Sequence, residues 1–201
     1  MMNQSGFWWI LVAGTVYGAI HSLTASMQLK KAATKIFGEP GRLYYRLAYV
    51  ALSLITTPLY MALVLLLPDA RIYRIPAPWI YLTLFIQLLA LAGVALSFRG
   101  TGAVSFLGLD SLFPKPALPT KNALMTTGFY KYSRHPIYFF SLVFLWLMPW
   151  MSWNVLAFAI GVTVYTLIGS RFEERKLIGE FGQPYIDYRK VTPWIIPIKL
   201  K

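Results

Sequence analysis

Arg134, His135 and Tyr138 stand together where a polar stretch of the chain gives way to an apolar one. A guanidinium is a permanent forked cation, an imidazole takes and returns a proton near neutral pH, and a phenol offers a hydrogen bond. Pro136 suits the first turn of a helix, where its missing donor costs nothing, and it fixes the geometry of His135 just before that helix. Tyr138, three residues on, then lies on nearly the same face as His135. Together these groups make an anion receptor beside a proton-sharing ring. Further along, Arg171-Phe172-Glu173-Glu174-Arg175-Lys176 supplies carboxylates, and Tyr185, Tyr188 and Arg189 follow. Neighbouring glutamates on a helix cannot face the same way, so one is free for a ligand while the other pairs with Arg171, Arg175 or Lys176. Taken singly, such residues at a membrane boundary serve as interfacial anchors. Their occurrence at both ends of one apolar hairpin is what points to a site.

The elements that position them are membrane helices. Of the 201 residues 57% are hydrophobic and only 13% charged, about half the roughly 25% usual in soluble domains. Apolar runs at 7–27, 47–67 and 79–98 each approach the roughly 20 residues that cross a bilayer. The first run exceeds a secretion signal's apolar core and has no basic residue before it, which marks it as a retained helix. The fourth apolar run, 137–169, is interrupted by Pro149 and the interfacial aromatics Trp150 and Trp153, and reads as two helices joined by a tight turn. Each arm is short for a full crossing, so both a spanning and a re-entrant hairpin fit the pattern. The expected fold is all-α, with about five transmembrane helices and a C-terminal amphipathic segment over 171–188. It is one membrane domain over 1–201: a three-helix part (1–98), then a loop, hairpin and C-terminal part (99–201). The polar stretch 99–136, rich in glycine and proline, reads as a structured loop over the bundle.

The net charge of +12 is sorted by position. Seventeen of the nineteen basic residues fall at 28–46, 99–136 and 170–201, and only Arg71 and Arg74 fall in the alternate loops. By the positive-inside rule the N-terminus lies outside, and the C-terminus and the clustered residues lie in the cytoplasm. The basic excess therefore reads as topology plus attraction to anionic membrane lipids, not as nucleic-acid binding. Without cysteine there is no disulfide, thiolate metal site or cysteine nucleophile. Glycine-rich nucleotide loops and His-Glu-x-x-His are absent too, so any cofactor is held by the bundle itself. His21, inside the first run, needs a polar partner in the bilayer.

The ordered series Thr127-Gly128-Phe129-Tyr130, Arg134-His135-Pro136-Ile137-Tyr138, Glu173-Glu174-x-x-Leu177, Phe181-Gly182-x-x-Tyr185-x-x-Tyr188 and Ile196-Pro197 resembles the C-terminal half of the isoprenylcysteine carboxyl methyltransferase family. That superfamily also takes in phospholipid and methanethiol methyltransferases. His21-Ser22-Leu23 and Tyr45-Arg46-Leu47-Ala48-Tyr49 are similar to the methanethiol branch and to membrane proteins associated with nitrite reduction. The resemblance implies a membrane methyltransferase that takes S-adenosylmethionine from the cytosol and a small or lipid-borne thiol or carboxylate acceptor. It implies His135, Arg134 and Tyr138 as catalytic residues, and His135, Tyr138, Glu173, Glu174, Tyr185 and Tyr188 as cofactor-binding ones, with no metal and no protein partner. Carboxylates suit the cofactor's amine and hydroxyls, and aromatic rings suit its sulfonium. Phe139-Phe140 stand where many relatives have a glycine, which narrows the expected acceptor channel. Two other functions fit single elements: an NADPH-dependent sterol-type reductase, through Arg-His-Pro-x-Tyr, and a non-catalytic membrane protein assisting nitrogen-oxide metabolism.

Overall fold

The computed structural model of the chain describes residues 2–98 and 124–198. Most of the expected loop, 99–123, lies outside the described residues. The elements in order are α1 (Phe7–Thr24), α2 (Met27–Leu66), β1 (Arg71–Arg74), α3 (Trp79–Phe98), α4 (Pro136–Trp146), β2 (Trp150–Ser152), α5 (Trp153–Phe181) and α6 (Gln183–Val191). The two strands form a small sheet. The protein is all-α and integral to the membrane: α1, α2, α3 and α5 are long and apolar enough to cross a bilayer. Side chains such as Leu65 and Leu66, both 82% exposed, are not covered by the described residues, as suits a surface facing lipid.

The helices gather into two compact units, one from 2–72 and 152–162, the other from 73–98, 124–151 and 163–198. In the first unit Phe7, Ile10, Tyr60 and Ala157 form the core. The Tyr60 hydroxyl donates to the Ile10 carbonyl at 3.3 Å, and Gly14 gives it room, since a Cβ there would stand 2.3 Å from the phenol oxygen. His21 finds the polar partners its depth demands: Tyr49 at Nε2 and Ser53 at Nδ1. Asn154 Nδ2 donates to the carbonyls of Val64, Leu67 and Pro68, closing the C-terminal end of α2.

Three features depart from the sequence expectations. The second apolar run is the end of a much longer helix that starts at Met27, so the basic residues at 28–46 are helical and not a loop. That helix is interrupted at Gly38, whose φ of 63° is open to glycine, and Pro40 then sits near the restart, where proline is tolerated. The amphipathic stretch 171–188 is divided: α5 runs on through Phe181, Gly182 (φ 63°) breaks it, and α6 follows. And α4 has only 11 residues, about 16 Å of helix, which is too short to cross alone.

The second unit explains how so short a helix suffices. Gln87 Nε2 donates to the Phe144 carbonyl at 2.8 Å, and Phe140 sits on Gly93, so α4 runs antiparallel along α3. Beyond Trp146 the chain continues to Pro149, whose carbonyl accepts from Ile75 N at 2.8 Å just before α3 begins. The hairpin turn is thus level with the start of α3, reached by non-helical residues that follow Trp146. Gln87, Ala90, Gly93 and Ser97 form the buried stripe of α3. A Cβ on Gly93 would meet the Phe140 ring at 2.6 Å. Gly93→Val is therefore expected to destabilise the protein by about 1–3 kcal/mol, and Phe140→Ala in the same chain to restore part of the loss, as read by thermal unfolding in detergent.

Candidate functional site

The hairpin brings the two clusters together in register. Near its turn Trp146 Nε1 donates to Thr163 Oγ1 at 3.0 Å; at its open end Tyr138 Oη donates to Glu173 Oε2 at 2.8 Å. His135 is the N-cap of α4 and Pro136 opens the helix. The His135 ring stacks on Tyr138, with centroids 5.3 Å apart and planes 12° from parallel. Its two nitrogens face different carboxylates: Nδ1 lies 3.6 Å from Glu173 Oε2 and Nε2 lies 3.6 Å from Glu174 Oε1.

The glutamates differ sharply. Glu173 is 46% exposed in its side chain, Glu174 only 3%. Glu174 pairs with Arg134, whose Nε is 2.7 Å from Oε1, and with Arg189, whose Nε is 3.4 Å from Oε2. Glu174 is thus paired with distant arginines, while Glu173 feels the charge of Lys176 on its own helix, one of the neighbours expected from the sequence. With both side chains withdrawn from solvent, removing Glu174 strands the Arg134 charge, at a cost of about 3–5 kcal/mol, whereas removing Arg134 leaves Glu174 with Arg189.

Arg134 also spends Nη1 on the carbonyls of Arg189 (2.9 Å) and Thr192 (3.1 Å), so it caps the C-terminal end of α6. Backbone pairing continues the contact: Arg134 N donates to the Pro193 carbonyl at 2.9 Å and His135 N to the Trp194 carbonyl at 3.1 Å. Ser133 Oγ reaches the carbonyls of Trp194 and Ile195. Trp194 lies over the Arg171 guanidinium, 3.8 Å from ring centroid to Cζ. Tyr188 Oη donates to the Tyr130 carbonyl at 2.6 Å. Tyr185 is almost fully buried, yet its hydroxyl has no hydrogen-bond partner, and His135 Nε2 is likewise buried and unsatisfied.

All the residues singled out from the sequence, Arg134, His135, Tyr138, Glu173, Glu174, Tyr185 and Tyr188, therefore belong to the second unit, but their situations differ. His135, Tyr138 and Glu173 form one contact set and Glu174 joins through His135 Nε2. Tyr188 is engaged with Tyr130, and Arg134 is turned to Glu174 and the end of α6. Sequence reasoning assigned no site role to Arg189, Ser133 or Trp194. The only signal for Arg189 was its place directly after the tyrosine pair; Ser133 acts through its hydroxyl on two carbonyls, and Trp194 through its carbonyl and its ring over Arg171.

Burial, with the Glu174 charge adding to it, pushes the Tyr185 phenol up to about 12. A raised phenol contributes stability that is present below the unfolded value of about 10 and lost as pH rises through about 12. Tyr185→Phe should accordingly lose less stability than the wild type between those limits in alkaline unfolding.

The second unit is an α-helical membrane module that carries a buried imidazole and paired carboxylates at the open end of a hairpin. Residues 88–184 match the family described as phospholipid methyltransferase. That stretch holds Arg134, His135, Tyr138, Glu173 and Glu174 and stops one residue before Tyr185, so the resemblance to this superfamily is borne out there. The chain is also similar to methanethiol S-methyltransferases. It is 38% identical over 89 residues to that of Pseudomonas deceptionensis, covering 44% of this chain and 33% of that protein. With methanethiol S-methyltransferase 2 of Bradyrhizobium diazoefficiens it shares 44% identity over 68 residues, 34% of this chain and 26% of that one. With methanethiol S-methyltransferase 1 of the same organism it shares 29% over 194 residues, 93% of this chain and 65% of that one. The chain thus spans about a third or less of the first two relatives and under two thirds of the third. No solved structure matches it.

Proposed function

We propose that the protein is an integral membrane methyltransferase that uses S-adenosylmethionine to methylate a small thiol. The observation that carries this reading is the hairpin register, which sets His135 and Tyr138 against Glu173 while leaving buried polar atoms of His135 and Tyr185 without partners. Unsatisfied buried polar atoms are costly, and their clustering beside a half-exposed carboxylate fits a polar ligand. Glu173 suits the ammonium and hydroxyls of S-adenosylmethionine, and the stacked rings of His135 and Tyr138 suit its sulfonium. When bound, that cofactor supplies an electrophilic methyl group.

The residues supply the rest. A thiol is a weak nucleophile until it loses its proton, and His135 is the group placed to take it. The imidazolium so formed would be flanked by two carboxylates, as the ring nitrogens already are. A thiol acceptor is favoured by the names of the relatives, each a methanethiol S-methyltransferase.

The orientation follows from charge sorting: the site faces the cytoplasm, with Ser5 and Ala70 outside. The hairpin returns the chain to the face it left, so the sorting holds however deep the turn lies. Because the chain has no cysteine, single introduced cysteines report cleanly. Ser5→Cys and Ala70→Cys should react with an impermeant maleimide on intact cells, and Lys190→Cys should be protected; the reverse pattern inverts the topology. For function, purified protein should bind S-adenosylhomocysteine and not NADPH, and should methylate methanethiol. Binding of NADPH alone would transfer the chain to the reductase reading.

A further inference from the structure

We propose that Glu174 is a latch and not a ligand-binding group: through Arg134 and Arg189 it holds the segment 189–195 across the mouth of α4 and so positions His135. This rests on the reading of His135 as the working base of the site. Adjacent positions on a helix point about 100° apart, so the exposed Glu173 and buried Glu174 have separate surroundings. Glu174 faces two guanidinium groups that come from the two elements to be joined, Arg134 from the approach to α4 and Arg189 from α6.

Arg134 is the centre of the device. Its Nε meets Glu174, its Nη1 holds the Arg189 and Thr192 carbonyls, and its own N–H holds the Pro193 carbonyl. The next amide, that of His135, is bonded to the Trp194 carbonyl. The backbone that orients the imidazole is therefore fastened to the C-terminal segment, and that segment is fastened to Glu174. Arg171, three residues before Glu174 and so on the same face of α5, adds a second hold through Trp194.

The latch has a direct readout that does not depend on catalysis: the Arg134 amide is bonded to the Pro193 carbonyl, and the His135 amide to the Trp194 carbonyl and to Ser133 Oγ, which is itself bonded to the carbonyls of Trp194 and Ile195, so exchange at both amides reports lifting of segment 193–195. In Glu174→Gln, hydrogen exchange at those two amides should rise at least tenfold. A cysteine placed at the buried Ile195 should become reactive to maleimide in the same background. In Glu173→Gln both should stay as in the wild type. Arg189→Gln, which removes a partly exposed arm, should reproduce the opening with less risk to folding, and adding it to Glu174→Gln should open the segment no further. Glu174→Asp should close it in part, whereas Arg134→Lys should not, because lysine lacks the fork that spans carboxylate and carbonyls.

In methyl transfer the latch variants should lose kcat while S-adenosylhomocysteine affinity stays within threefold of the wild type. Unchanged exchange in Glu174→Gln would overturn the latch. So would a collapse of S-adenosylhomocysteine affinity with the segment still closed, which would make Glu174 a ligand. If no thiol is methylated by any form, the functional reading fails, and the exchange and labelling results still decide the latch.

Discussion

His135→Ala is expected to remove methyl transfer almost entirely, a fall of roughly 10²- to 10⁴-fold in kcat. The size follows from what the ring alone provides. It is buried to 3% of its side chain, stacked on Tyr138, and faces one carboxylate from each nitrogen. The chain's one other histidine, His21, lies in the first unit. Alanine also leaves the His135 amide free to keep its bond to the Trp194 carbonyl, so the C-terminal segment should stay in place. The measurement is single-turnover methylation of methanethiol at saturating cofactor, with hydrogen exchange at residue 135 as a folding control. Full activity in this variant would end the assignment of the hairpin mouth as the reacting centre.

The hairpin was legible because its signals are local. Pro149 and its flanking tryptophans mark the turn, and the two charged clusters mark its open end, so an antiparallel return had to bring His135 near Glu173. The depth of the hairpin was not legible. An apolar run reports how much chain is greasy, not how much is helical, and here α4 stops at Trp146 while non-helical residues carry the chain on to Pro149. The same limit hid the helical character of 28–46: Lys and Arg are good helix formers, and a basic stretch between apolar runs looks like a loop until the break at Gly38 is seen to be a single residue wide.

Within the site, residue type predicted membership better than role. Arg134 looks like an anion receptor in sequence, yet in the fold it caps α6 and neutralises Glu174. Its partners are main-chain carbonyls at 189 and 192, and every residue type has a carbonyl, so no sequence pattern could have named them. The carbonyls that Ser133 Oγ reaches were hidden for the same reason. Glu173 and Glu174, by contrast, could be told apart only by burial, which depends on how α6 folds back after Gly182.

That division leads to the second large effect. Glu173→Gln should weaken S-adenosylhomocysteine binding by roughly ten- to a hundredfold, the loss of a charge-assisted hydrogen bond worth about 1.5–3 kcal/mol. The substitution is nearly isosteric, and the amide oxygen of glutamine can still accept from Tyr138 Oη, so the hairpin register should survive. Because Glu173 is half-exposed, its neutralisation strands no buried cation, in contrast to Glu174, whose loss leaves Arg134 unpaired. The two variants should therefore separate in a single pair of measurements: Glu173→Gln loses affinity with the C-terminal segment closed, and Glu174→Gln opens the segment with affinity nearly kept. Equal affinity in Glu173→Gln and wild type, by equilibrium binding in detergent, would mean that the carboxylate serves only to orient His135 and Tyr138. The cofactor's ammonium would then have to be received elsewhere.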